Sequence, residues 1–141
     1  MKKVLLLAGL IVLTMPAGFG AGADEPVSVA YFYTVKWGHQ QEFLDLFRKN
    51  HYPVLKEQVK SGRILEIKTF EPSFHGDGRA DWTFMVVLTF KNFQVLSEGS
   101  EEEAIKLRLY PNQETFLKEE QRRFESLEAH WDVPLKNAVM E

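Results

Sequence analysis

The chain has 141 residues, 45% hydrophobic and 26% charged, with a formal net charge of −3; this suits one globular domain and excludes a disordered or fibrous chain. The acidic balance, with no Lys/Arg stripe, excludes a nucleic-acid surface built on phosphate contacts. Cysteine is absent, so disulfides, thiolate nucleophiles, Cys-ligated zinc or iron–sulfur sites and lipoprotein acylation are excluded as well.

Residues 1–23 read as a secretory signal peptide. Lys2-Lys3 supplies the basic start, residues 4–13 an apolar run too short to span a bilayer, and Ala21-Gly22-Ala23 a small-x-small cleavage site. The expectation is a single domain over residues 24–141, periplasmic or secreted and free of the membrane once the leader is removed. Loss of Lys2 and Lys3 makes that domain more acidic.

Residues 27–36 are rich in β-branched and aromatic side chains and predict a first strand. Val29, Tyr31, Tyr33 and Val35 share one face; Ala30 and Phe32 take the other. Trp37-Gly38-His39-Gln40 turns the chain. A helix follows over residues 39–60, with Phe43, Leu44, Phe47, Val54, Leu55 and Val59 as its apolar stripe. Pro53 interrupts that stripe and is expected to kink or split the helix after His51-Tyr52. Ser61-Gly62 ends it.

Residues 64–70 predict a second strand with Glu66 and Lys68 on one face, and residues 73–81 a Gly/Asp-rich loop. Residues 82–90 predict a third strand, apolar on both faces. A short helical stretch begins at Phe93. Ser100 with Glu103 reads as a capping box for the next helix, and a further helix over residues 112–125 is expected to turn Phe116, Leu117 and Phe124 inward. At the C-terminus, Leu127, Ala129, Trp131 and Val133 alternate with polar residues, favouring a last strand.

This order predicts an α+β fold: a ferredoxin-like split βαβ antiparallel sheet, first and third strands central, helices on one face. The polar second strand suits an edge. Central strands that are apolar on both faces need a cover opposite the helices, which predicts a homodimer packed sheet to sheet. The stretch Val35-Lys36-Trp37-Gly38-His39-Gln40-Gln41-Glu42-Phe43 also resembles the start of dimeric α+β barrel proteins. That group includes antibiotic-biosynthesis-type monooxygenases, haem-degrading monooxygenases, stress-responsive barrel proteins and NIPSNAP-like domains. Trp37 stands where many members have Pro. The resemblance implies the fold and the dimer; its members include enzymes and non-enzymes alike. The catalytic Asn, Trp and His of the haem-degrading group are not matched to positions of this sequence, and none is carried over.

The chemistry-bearing candidates are few. His75, Asp77 and Arg79 lie on the glycine-bearing loop, where they suit either a metal or polar ligand group, or simple turn formation. His51 and Tyr52 lie where the helix should bend, so His51 is either an acid, base or haem ligand facing a pocket, or a locally bonded residue. Tyr31, Tyr33, Trp82 and Phe84, with Phe32 and Met85, read as cavity lining or as plain core. Three functions stay open: binding of a small apolar or aromatic molecule between the first helix and the sheet, without a cofactor; a cofactor-independent or haem-associated monooxygenase using His51, with Tyr33, His75 and Arg79 positioning; or a structural protein with a filled core.

Overall fold

The computed structural model describes residues 25–74, 81–138 and 140. Four antiparallel strands form one sheet: β1 (Val27–Val35), β2 (Ile64–Phe70), β3 (Phe84–Phe90) and β4 (Leu127–Leu135), in the order β2-β3-β1-β4. β1 and β3 are central, as their two apolar faces require. β2 and β4 are the edges. β1 pairs with β3 with Tyr31 opposite Val86 and Tyr33 opposite Phe84, and with β4 with Tyr33 opposite His130.

The helices are α1 (Gln40–Leu46), α2 (Tyr52–Lys60), α3 (Phe93–Ser97), α4 (Glu102–Leu109) and α5 (Gln113–Glu125). The core lies between them and one sheet face, on Val29, Tyr33, Phe43, Phe47, Leu55 and Phe84, among others. Phe43 is fully buried and packs against the rings of Tyr33, Phe47 and Phe84.

Between α1 and α2, residues Phe47–His51 form a π-helical turn. Pro53 explains it. An α-helix would bring the Pro53 ring against the Lys49 carbonyl, and proline has no N–H to offer that carbonyl. The chain widens instead, and the Tyr52 amide donates to the Phe47 carbonyl five residues back. The Tyr110 hydroxyl lies 3.0 Å from the freed carbonyl of Lys49 and 2.8 Å from that of Asn50. The helix is therefore divided where expected, by a π-helical turn that runs directly into α2, with Pro53 in the first turn of α2.

Several sequence expectations are corrected. The first strand ends at Val35 rather than residue 36. The third begins at Phe84 rather than residue 82, because the Thr83 hydroxyl accepts the Val35 amide at 2.9 Å in place of a ladder carbonyl. The helix expected to be capped by Ser100 starts at Glu102 with Glu101 as its cap residue; Ser100 Oγ meets only the Glu102 amide, at 3.4 Å. Leu117, Phe124 and Val59 are exposed rather than inward. In α5 the buried positions are Phe116 and Arg123. Arg123 is 2% exposed and forks onto Glu120 through Nε at 3.0 Å and Nη2 at 2.7 Å, so a compensated ion pair is buried where Leu117 and Phe124 were expected to turn inward. In α2, Gln58 is buried where Val59 was expected.

On the face away from the helices, Phe32 stacks on Trp131 with centroids 5.2 Å apart, and Trp82 meets Phe32 edge-on at 6.1 Å. Trp131, Val133 and Leu135 of β4 are exposed on that face.

Candidate functional site

Three of the expected residues come together. Tyr31 and Tyr33 on the inner face of β1, and His51 at the end of the π-helical turn, line one cavity of about 230 Å3 between the helix and the sheet. Strand alternation puts both tyrosines on the helix side. The widened turn carries His51 there too, its ring 5.1 Å from that of Phe47. Apolar walls come from Leu55, Val86, Leu88 and Phe90, and polar groups from Gln58 and Arg63.

The electrostatics of this cavity are set by burial. Desolvation, then the nearby Arg123 guanidinium, lowers the His51 pKa from 6.5 to about 4, so the imidazole is neutral at neutral pH. Burial pushes Tyr31 up to about 12, and raises Tyr33 further still. Both phenols are therefore protonated donors. Among the described residues, the side chains of Tyr31, Tyr33, His51 and Gln58 have no hydrogen-bond partner, and the buried Arg63 Nε has none either. A buried group such as the Arg63 Nε is ordinarily satisfied, because leaving it unpaired costs about 1–3 kcal/mol.

The other expected residues lie elsewhere. Tyr52 and Phe84 line a second cleft of about 480 Å3 beside Phe70, and Trp82 a third of about 440 Å3 beside Trp37 and Phe74. His75 and Arg79 lie outside the described residues, as does Asp77. Among the described residues no group of three or more His, Asp or Glu side chains is placed to hold a metal. His130 stacks on Tyr33 at 4.4 Å and donates through Nδ1 to the Phe32 carbonyl at 2.9 Å, at the β4 edge of the sheet. His39 pairs with Glu42 at 3.1 Å on the surface.

Gln58, Arg63 and Arg123 were not singled out from the sequence. Gln58 carried a signal: it follows Val54 by four residues and Leu55 by three, which places it on the buried stripe. Arg63 follows Gly62, whose φ of +76° returns the chain so that the Arg63 amide donates to the Gln58 carbonyl at 3.0 Å. Both side chains line the cavity.

No protein-family model matches this chain, and no curated protein does. Several solved structures are similar. A NIPSNAP family protein from Agrobacterium tumefaciens superposes with a TM-score of 0.53 at 12% identity, covering 86% of this chain and 94% of that one. A DABB family protein with a ferredoxin-like fold from Mesorhizobium loti gives 0.50 at 8% identity, covering 81% and 98%. A proposed antibiotic biosynthesis monooxygenase from Caulobacter crescentus gives 0.50 at 12% identity, covering 83% and 93%. At these identities the likeness shows the fold, which is the ferredoxin-like α+β architecture expected from the sequence.

Proposed function

We propose that this protein is an exported homodimeric α+β barrel that takes a small apolar or aromatic molecule into the cavity between α1–α2 and the sheet. The observation that carries this reading is one apolar-walled cavity lined by Tyr31, Tyr33, His51, Gln58 and Arg63, whose buried Arg63 Nε has no hydrogen-bond partner among the described residues. A core built for stability alone would pair the buried Arg63 Nε and would not gather further polar groups around it. A ligand with one or two polar atoms satisfies them and buries its rings against Leu55, Val86 and Leu88. The volume of about 230 Å3 falls below the about 300–1,000 Å3 of pockets for drug-sized ligands. It suits one or two rings and is too small for a haem.

Export is supported by Lys2-Lys3, the short apolar run and Ala21-Gly22-Ala23. Among the described residues no helix is long and apolar enough to cross a membrane. Dimerisation is supported by the exposed Trp131, Val133 and Leu135, which with the half-buried Phe32 make an apolar face opposite the helices.

Turnover is the second reading, since a neutral imidazole in the cavity has a lone pair for a substrate proton. Burial that lowers its pKa to about 4 makes it a weak base at neutral pH, which favours binding over proton abstraction.

Native mass spectrometry of the exported protein tests this reading, with 2-naphthol as the added probe. The expected spectrum is a dimer that retains a small guest or takes up 2-naphthol, and a Val86→Trp variant, its cavity filled, that does neither. A monomer, or a dimer that takes up nothing, rejects the proposal.

A further inference from the structure

We infer that the molecule taken up by this cavity carries a carboxylate, held by the Arg63 guanidinium with the Gln58 amide and the Tyr31 hydroxyl beside it. This inference rests on the binding reading above and assigns the chemistry of one end of the same cavity.

Arg63 is permanently charged. Its Nη2 donates to the Glu98 carbonyl at 2.9 Å, and its guanidinium lies over the Phe90 ring, with Cζ 6.0 Å from the centroid. Those contacts fix the guanidinium without neutralising it. No carboxylate pairs with Arg63 among the described residues, and its Nε is buried without a partner.

Two of the neighbouring charge pairs are already matched, and a third carboxylate, Asp132, does not pair with Arg63. Glu102, also at this cavity, is held by Lys106 at 2.6 Å. The buried Arg123 is forked onto Glu120. Asp132, across the sheet pairing from Tyr31, lies 3.4 Å from His130 Nε2. Arg63 is thus the cation at the cavity left with no anion of its own.

The groups beside it are donors suited to the same partner. Gln58 is 5% exposed, and its side-chain amide bonds to nothing among the described residues. The Tyr31 phenol stays protonated well beyond neutral pH. Guanidinium, amide and phenol together present several N–H and O–H groups to one acceptor. That is the set that recognises a planar two-oxygen anion, and it offers a neutral hydrophobe nothing. The His51 imidazole itself stays neutral at neutral pH.

Isothermal titration of the full chain with 2-naphthoate and with 2-naphthol separates the outcomes, because the two probes share their rings and differ in the carboxylate. We expect 2-naphthoate to bind more tightly. Arg63→Gln should weaken 2-naphthoate at least about tenfold, the loss of one charge-assisted hydrogen bond, and leave 2-naphthol within about twofold. Gln58→Met, which keeps the volume and the charge of Arg63, should weaken 2-naphthoate by a smaller factor and serves if Arg63→Gln melts early. Uptake of 2-naphthol but not 2-naphthoate, or equal effects of Arg63→Gln on both probes, overturns this inference and leaves the binding reading standing. Uptake of neither probe removes both.

Discussion

The hydroxyl of Tyr110 lies 2.8 Å from the backbone carbonyl of Asn50, one residue before His51, across sixty positions of sequence. The same hydroxyl lies 3.0 Å from the Lys49 carbonyl, which Pro53 leaves without an amide, and so ties the C-terminal end of α4 to the turn that carries His51. The Tyr110 ring also stacks on Phe116 at 4.4 Å. Tyr110→Phe keeps the stack and deletes the bond. The expected outcome is a loss of about 1 kcal/mol in urea unfolding, with faster hydrogen exchange at residues 50–52. Unchanged exchange there would show that the turn holds itself.

His51 makes stability depend on pH in a defined window. Its folded pKa of about 4 lies below the unfolded 6.5. Above 6.5 both states are neutral and the contribution is fully present. As pH falls from 6.5 to about 4, the unfolded chain takes up a proton that the folded chain refuses, and stability declines. The gap corresponds to at most about 3 kcal/mol. His51→Phe should flatten the difference between urea curves recorded at pH 7 and pH 4.5. Glu42, lowered to about 2 by hydrogen bonds from Arg122 and His39, acts below this window. A variant that declines as steeply as the parent would show that His51 is not the buried neutral group.

Much of this architecture is legible in the sequence. Residues apolar on both faces place β1 and β3 in the centre, Glu66 and Lys68 send β2 to an edge, and the alternation of Leu127, Ala129, Trp131 and Val133 gives β4. The cavity is half legible. Tyr31, Tyr33 and His51 can be named, because aromatic alternation and a proline-marked bend carry a period. Gln58, Arg63 and Arg123 cannot be named so easily, because a buried polar residue is recognised only once its partners, or the lack of them, are in place. The same difficulty explains Leu117 and Phe124. The α5 face toward the core runs through Phe116, Glu120 and Arg123, where a bidentate ion pair stands in for apolar side chains.

The outer face gives a further expectation. Trp131 is 36% exposed beside Phe32 on the side of the sheet without helices. Trp131→Asp places a charge there while touching no helix contact. Light scattering should show the parent as a dimer and the variant at half its mass with an unchanged circular dichroism spectrum. A folded variant that remains dimeric would place the interface elsewhere.

Phe43 tests the core itself. It is 0% exposed and bridges the Tyr33, Phe47 and Phe84 rings. Phe43→Ala should cost about 3–5 kcal/mol, the range for a large aromatic removed from a packed site. A loss below about 1 kcal/mol would mean that the helix does not pack on the sheet as described.

The most direct measurement of the central claim is a heteronuclear NMR titration of the folded protein with 2-naphthol, following the His51 ring and the Gln58 side-chain amide. The account expects saturable shifts at both, together with Tyr31 and Tyr33, and none at the exposed Trp37 or Phe74. Shifts confined to the outer sheet face, or none at all up to the solubility limit of the probe, would contradict it.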